Sequence, residues 1–284
     1  MSESLRVTNF INMRSLLLAV LAAYVVSAIH AVLAFLNKRR SLQQVSEWSM
    51  AAGFVLHTAA LIADWAIDGH YPLLYRRETL SFLAWTLVAS YGLVLYRYRA
   101  RPLGAVTLPL VSLLVFIAVI IGSAAPGQAD ASIRAATWLF PVHTTLLLFA
   151  YAAFFVVFLA SVMYLLQERE LKLKTFSAIF HRLPSLTTVN EISTSSTAIG
   201  LTLLTVGIAT GMVWASSRDG RLWHNDPKEI FAALTWLLYL LLILYRSTSS
   251  WRGRKAAWMG VAGFALVLLT FFATRLMGGY HVFG

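Results

Sequence analysis

The chain has 284 residues, of which 59% are hydrophobic and only 12% are charged. A soluble domain carries roughly 25% charged residues, so this composition excludes an ordinary water-soluble protein. The formal net charge is +11, and because the basic residues lie mostly in short loops, we attribute it to membrane orientation and anionic headgroups and expect no nucleic-acid partner.

Apolar runs of membrane length recur along the chain and predict eight transmembrane helices. We place them at 15–36, 47–67, 79–96, 105–122, 138–166, 194–215, 229–246 and 256–276. The first run is too long for the apolar region of a signal peptide, so we expect no cleavage. The polar, basic segment 167–190 predicts an interfacial or loop helix. The predicted fold class is all-α: one polytopic membrane helix bundle over residues 1–284.

Lysine and arginine are distributed unevenly between the two sides of this bundle. With an even number of spans, both termini lie on one side. The loops on the opposite side hold 14 of the 23 basic residues: Lys38, Arg39, Arg40, Arg97, Arg99, Arg101, Arg169, Lys172, Lys174, Arg182, Arg246, Arg252, Arg254 and Lys255. Basic loops face the cytoplasm, so both termini are predicted outside it.

This topology sorts the seven histidines. Those predicted at or near the outer surface are His70, His143, His224 and His281. His181 is predicted on the cytoplasmic side, and His30 and His57 lie within the first two spans. No cysteine is present in the sequence, so disulfides, thiolate metal sites and thiol redox chemistry are excluded.

A polar loop between the sixth and seventh predicted spans carries most of the distinctive residues, and the segment around it reads WASSRDGRLWHNDPKEIFAALTWLLY. Its two tryptophans, Trp214 and Trp223, are interpreted either as ordinary interfacial aromatics or as faces that stack on a flat aromatic ligand. Asp226 and Glu229 around a proline are typical of a capped helix start. Such a cap would also fix the part of the loop that carries Trp223 and His224.

Two outer histidines bracket this loop. His143 lies in FPVHTTLLLFAY and His281 in GGYHVFG, both predicted at one depth. A single histidine near a membrane surface is usually only a solvated amphipathic residue. Two of them beside a tryptophan loop favour axial ligation of haem iron, for which neutral imidazole is a common ligand. His57 lies mid-span with Asp64 two turns on, which indicates either an interhelical hydrogen bond or a further haem contact.

Several segments resemble the cytochrome c assembly family of the CcsA/CcmC/CcmF type, and most closely its CcsA-type members of system II cytochrome c biogenesis. GHYP with Glu78 and FLAW resembles an early outer loop and the next span. VHTTLLLFAYAAF resembles the span that carries the family's first outer haem histidine, and GRLWHNDPKEIFAALTWLLYL resembles the Trp-rich loop. WRGRKAA and GGYHVFG resemble the C-terminal region that carries the second outer haem histidine. The resemblance runs from about residue 50 to the C-terminus.

The resemblance implies a membrane component of cytochrome c maturation that binds haem b transiently and delivers it to apocytochrome c outside the cytoplasm of a bacterium. It places His143 and His281 as axial ligands of the iron. The other haem contacts that we expect are Trp214, Trp223, His224, Asp226 and His57. The implied partners are a CcsB/ResB-type membrane protein, an apocytochrome with a Cys-x-x-Cys-His site and the lipid bilayer of the plasma membrane. Membership of a holocytochrome c synthase is implied for the family and left open for this chain.

Three positions depart from the family pattern. Asp219 and Asn225 stand where the loop has tryptophans, and Tyr245 stands where a membrane-embedded histidine is common. These departures keep an alternative open, a HemX-like regulator or scaffold of haem biosynthesis without synthase activity. A b-type electron-transfer cytochrome would require paired mid-span histidines, and the only candidates, His30 and His57, are predicted at different depths. A transporter of another substrate is not excluded by hydropathy.

Overall fold

The computed structural model describes residues 3–68, 71–73, 75–121, 138–174, 180–247 and 253–277. Within these ranges the regular structure is helical and contains no strand. The chain forms two compact units, Met1–Ala135 and Ala136–Gly284. The prediction of a single domain over 1–284 stays a prediction.

The described part of the first unit contains four long helices: α1 (Glu3–Asn37), α2 (Arg40–Asp68), α3 (Arg76–Tyr98) and α4 (Gly104–Ile121). A short 3-10 helix, Arg101–Leu103, precedes α4. The described part of the second unit contains another four: α5 (Leu139–Leu173), α6 (Leu186–Asp219), α7 (Pro227–Ser247) and α8 (Arg254–Met277). A 3-10 helix, Phe180–Arg182, lies between α5 and α6.

Each of these eight helices is long and apolar enough to cross a membrane. The predicted all-α membrane bundle and its eight spans are therefore confirmed, and the observed helices extend beyond several of the predicted bounds. Outside the apolar runs, hydropathy no longer marks where a helix ends, because a helix continues into water whenever its residues favour it.

The segment 167–190, predicted as an interfacial or loop helix, is divided among three helices in its described part, and only the short 3-10 helix Phe180–Arg182 lies between the two long ones. Helix α5 continues to Leu173 through good helix formers, supported by a Lys172–Glu168 ion pair one turn apart at 2.7 Å. It ends at Lys174, which takes a left-handed φ of 54°. Helix α6 then begins where the Ser185 hydroxyl caps it by accepting from the Thr188 N–H at 3.2 Å. The described part of the segment thus consists of the end of α5, the 3-10 helix and the start of α6.

In the first unit, α1 packs along α2 and α4, and α4 packs along α3. The interior includes polar contacts between helices. Within the α2 span, His57 is fully buried and its ring nitrogens lie 3.3 Å from the Tyr24 hydroxyl and 2.8 Å from the Ser81 hydroxyl. The interhelical hydrogen bond that the sequence offered as one explanation of His57 is present. Asp64 pairs instead with Arg77, at 3.3 Å.

In the second unit, α5 packs against both α6 and α8, and α7 packs against α6 and α8. The centre of the core is a stack of Phe154 on Tyr239, with ring centroids 3.7 Å apart and planes 5° from parallel. Helix α7 is tied to α6 at two levels. The Trp236 indole donates to the Thr205 hydroxyl at 2.8 Å, and Arg246 donates to the Ser193 hydroxyl at 2.6 Å.

The Asp64–Arg77 pair generates a test of the first unit. Both side chains are only 6% exposed, so Arg77→Leu leaves a buried carboxylate without its cation and should destabilise the protein by about 3 kcal/mol. Arg101→Leu removes an exposed partner of Glu47, with side chains 44% and 35% exposed, and should cost under about 1 kcal/mol. Thermal unfolding in detergent measures both. Equal shifts would contradict the buried pair's importance.

Candidate functional site

The candidate site begins where the N-terminal end of α5 packs against the C-terminal end of α6. The two helices are antiparallel, as shown by successive contacts of Phe154 with Gly200 and His143 with Gly211. At the far end Phe140 meets Trp214, with ring centroids 5.2 Å apart. The first turns of α5 therefore lie against the last turns of α6, which lead into the tryptophan loop.

His143 lies directly on the backbone of α6. Its Nδ1 is 2.6 Å from the carbonyl oxygen of Gly207. A carbonyl oxygen only accepts, so Nδ1 carries the hydrogen and, in the neutral ring, the lone pair that binds a metal is on Nε2. A Cβ at Gly211 would lie 2.5 Å from Cε1 of this ring. The ring occupies the space that any side chain at position 211 would fill.

Trp214 lies in the last turns of α6, just before the loop, and is only 3% exposed. One neighbour of its indole is Phe140, and the guanidinium of Arg218 lies 5.1 Å from the ring on the same helix. These contacts anchor the last turns of α6 against α5. Trp214 is thus placed inside the unit, below the loop that it was predicted to share with Trp223.

The loop leaves α6 at Gly220, whose φ of 76° lies in the left-handed region that glycine adopts without strain. Its N–H donates to the Ser216 carbonyl at 2.9 Å and closes the helix. Farther along, Trp223 is 40% exposed and its indole N–H donates to the Asn225 side chain at 2.8 Å. Asn225 thus fixes the orientation of the Trp223 indole.

Glu229 organises the other half of the loop. Its Oε2 accepts from the N–H groups of His224 at 2.8 Å and Asp226 at 3.3 Å. Asp226, 3% exposed, accepts from the N–H of Lys228 at 2.8 Å. The predicted capped start of this helix is confirmed. Oε1 of Glu229 also lies 3.3 Å from Nδ1 of His224, which orients that imidazole.

The structure brings five of the predicted site residues to one end of the second unit: His143, Trp214, Trp223, His224 and Asp226. His57 belongs to the first unit. His70 and His281 lie outside the described residues. The described part of α8 runs toward the same end as His143, because its Phe271 contacts Tyr151 of α5 with centroids 6.0 Å apart. Within the described ranges no group of three or more His, Asp or Glu side chains could hold a bare metal ion.

Sequence reasoning missed the Gly207 carbonyl, the Phe140 neighbour of Trp214 and the Arg218 side chain above it. Some of these contacts join α5 to α6 and the others depend on how deeply Trp214 is buried, and neither property can be read from a single sequence. One signal was available: glycines at 207 and 211 are one turn apart on α6, a spacing that marks the close approach of another helix.

Comparison with known proteins decides the family. The sequence model of the family described as Cytochrome C assembly protein matches residues 76–281. The chain belongs to the cytochrome c assembly protein family. Its role is therefore in cytochrome c maturation, and the resemblance found in the sequence is confirmed.

Relatives within the family match this chain over most of its length. "Cytochrome c biogenesis protein CcsA" of Prochlorococcus marinus (strain MIT 9301) is 29% identical over 252 residues, which cover 81% of each chain. CcsA of Oryza sativa subsp. indica is 27% identical over 297 residues and 92% of each chain. CcsA of Microcystis aeruginosa is 29% identical over 276 residues, 80% of this chain and 83% of the relative.

A solved structure supports the fold. The protein titled "Cytochrome c Heme Lyase CcmF" superposes with a TM-score of 0.64 at 18% sequence identity. The match covers 95% of this chain and 46% of that one, so the chain spans about half the length of this neighbour. At this identity the likeness concerns the membrane fold alone.

The loop geometry of this chain depends on Glu229, which generates a prediction. Glu229→Ala removes the acceptor of the His224 and Asp226 amides, so these amides should exchange with deuterium roughly tenfold faster, as expected for a lost hydrogen bond of about 1.4 kcal/mol. Hydrogen exchange with mass spectrometry on peptides covering 220–229 measures this. Glu191→Ala, at an exposed position of α6, is the control. Unchanged exchange in both variants would contradict the role of Glu229.

Proposed function

We propose that this chain binds haem b transiently at the loop end of its second unit and presents it to apocytochrome c. The observation that carries the proposal is the state of His143. Its Nδ1–H is held by the Gly207 carbonyl at 2.6 Å, an arrangement typical of metal-ligating histidines, in which the other ring nitrogen faces the metal. It stands at the same end of the bundle as the tryptophan loop.

The residues at this end fit a haem. His143 supplies one axial imidazole, and Trp223 supplies a partly exposed indole whose orientation is fixed by Asn225. Arg218 and Arg221 are exposed beside the loop, and guanidinium groups complement the two propionate carboxylates of a haem. When bound, haem supplies the iron and the vinyl groups that become thioethers on the acceptor's cysteines.

The other predicted contacts take supporting roles in this proposal. Glu229 holds His224 and Asp226, and these residues shape the loop under the ligand. Trp214 fixes the loop to α5 from below. His281 is the second axial ligand that we propose, from the segment that follows α8. His57, with both ring nitrogens close to hydroxyls, is the weakest of the proposed haem contacts.

The partners follow from the family. Relatives that match more than four-fifths of this chain are named cytochrome c biogenesis proteins, and the structural neighbour is titled a haem lyase. We therefore propose apocytochrome c as the acceptor and a CcsB/ResB-type membrane protein as the partner in a system II holocytochrome c synthase. The organising task of this chain is to hold and orient the cofactor, which carries its own chemistry.

We place the chain in the bacterial plasma membrane with the tryptophan loop and both termini outside the cytoplasm. The support is the Lys/Arg bias. At the end of the second unit opposite the loop, the described residues include seven basic side chains: Arg169, Lys172, Lys174, Arg182, Arg246, Arg254 and Lys255.

Haem content of the purified protein tests the proposal. A pyridine haemochrome assay on detergent-purified protein should detect b-type haem. His143→Ala and His281→Ala should each lower the haem content roughly tenfold or more, because each removes an axial ligand. His181→Ala, exposed near the opposite end of the unit, is the control and should keep wild-type content. A protein without haem would favour the HemX-like scaffold, and equal content in all variants would refute the ligand assignment.

Topology is tested with single cysteines, because the chain has none. Arg221→Cys lies in the exposed loop, and Lys172→Cys replaces a side chain that is 62% exposed near the end of α5. A membrane-impermeant thiol reagent added to intact cells should label the first and spare the second. Disrupted cells, in which both should react, provide the control. The reverse pattern would place the loop inside, where it could not serve an extracytoplasmic cytochrome.

A further inference from the structure

We propose that the Gly207–Gly211 turn of α6 is a dedicated seat for the His143 imidazole and tunes it as a ligand. The seat consists of Gly207, Thr210 and Gly211. This inference rests on the proposed haem site and adds three positioning residues to it. None of the three touches the iron; each acts through His143.

Gly211 gives the seat its shape. A Cβ at this position would lie 2.5 Å from Cε1 and 2.6 Å from Nδ1 of His143, far inside van der Waals contact. The clashing atoms belong to a ring whose Nδ1 is bonded to the Gly207 carbonyl, so the ring cannot rotate away without losing that bond. Alanine at 211 therefore displaces the imidazole as a whole and removes its fixed orientation.

Gly207 gives the seat its chemistry. Its carbonyl oxygen accepts from His143 at 2.6 Å, which sets the hydrogen on Nδ1 and the lone pair on Nε2. A Cβ at this position would lie 2.8 Å from Leu147 of α5. The absence of a side chain here lets α5 come close enough for an imidazole, which is short, to reach a backbone carbonyl of α6.

Thr210 adjusts the strength of this bond. Its hydroxyl lies 2.9 Å from the Gly207 carbonyl and 2.9 Å from the Val206 carbonyl. The Thr210 hydroxyl and the His143 N–H therefore share the Gly207 carbonyl oxygen as an acceptor. A weaker acceptor polarises the Nδ1–H bond less and leaves Nε2 less electron-rich, which favours ferrous over ferric iron. Removing the hydroxyl should reverse this effect.

The first experiment compares two glycines of the same helix. Gly211→Ala should lower the retained haem roughly tenfold or more. Gly200→Ala is the matched control, because a Cβ there would lie 2.6 Å from the Phe154 ring of α5, so it strains the same helix pair away from His143. The control should lower the thermal stability and leave the haem content per folded protein unchanged. Equal haem loss in both variants would show general packing damage and overturn the seat.

A double variant separates positioning from folding. In the background of His143→Ala, Gly211→Ala should cause little further loss of the remaining haem, because the ring that the new Cβ would displace is absent. A full additional loss would show that position 211 acts through something other than the His143 ring.

The second experiment measures the haem reduction potential. Thr210→Val should shift it to a lower value, since the Gly207 carbonyl then accepts more strongly from Nδ1–H. Thr202→Val is the control, because the Thr202 hydroxyl donates to the Ala198 carbonyl at 3.0 Å on an exposed part of α6. An unchanged or raised potential in Thr210→Val would overturn the tuning role.

The seat is also tested without haem. Nitrogen-15 NMR of labelled histidine should show His143 with its hydrogen on Nδ1 in the wild type and a tautomer mixture in Gly211→Ala. If the wild type shows this tautomer and binds no haem, the seat stands and the proposed function fails. If the wild type binds haem through His143 and Gly211→Ala leaves tautomer and haem unchanged, the seat fails and the proposed function stands.

Discussion

The close approach of α5 and α6 is the constraint on which the second unit depends. Three glycines of α6, Gly200, Gly207 and Gly211, recur on the face that meets α5, and a Cβ at each would collide with an α5 side chain. Helices in a lipid core gain little from the hydrophobic effect on association, because lipid tails are as apolar as their side chains. The attraction comes instead from dense van der Waals packing, and small residues allow the two backbones to come close enough for it.

The glycine face determines what α5 places against it. Phe154, Leu147 and His143 each occupy the space of a missing side chain. Phe154 then stacks on Tyr239 at 3.7 Å, which carries the contact on to α7. His143 is the polar member of the series, and because it is half-buried between two packed helices, its N–H needs an acceptor. The exposed backbone of a glycine turn provides one, so the packing of the bundle and the orientation of the proposed ligand are the same set of contacts.

The fold could be predicted from sequence to the extent that membrane insertion dictates it. Apolar runs of sufficient length have one stable conformation in lipid, so the eight spans followed directly. Within 167–190 the extension of α5 was not predicted, because the charges mark the end of an apolar run and say nothing about the end of the helix. Residues such as Glu168 and Lys172 are strong helix formers that continue α5 into water.

The site could be predicted only where its contacts are local. Asp226 and Glu229 lie within one helix start, so their capping bonds could be anticipated from spacing. His143 and Gly207 are 64 residues apart, and no single-sequence pattern specifies that bond. Likewise, the sequence alone does not distinguish Trp214 from Trp223. Their difference, 3% against 40% exposure, arises from the Phe140 contact and from the end of α6 between them.

His143 and His57 show how partners decide what an imidazole can do. His143 bonds a carbonyl that can only accept, which fixes the tautomer with the hydrogen on Nδ1 and the lone pair on Nε2. His57 is fully buried between the Tyr24 and Ser81 hydroxyls, and a hydroxyl can donate or accept. Either tautomer of His57 is therefore satisfied, and ligation of a metal would break one of its two bonds. The same side chain thus joins three helices in one unit and, in the other, holds a single tautomer against the backbone of a neighbouring helix.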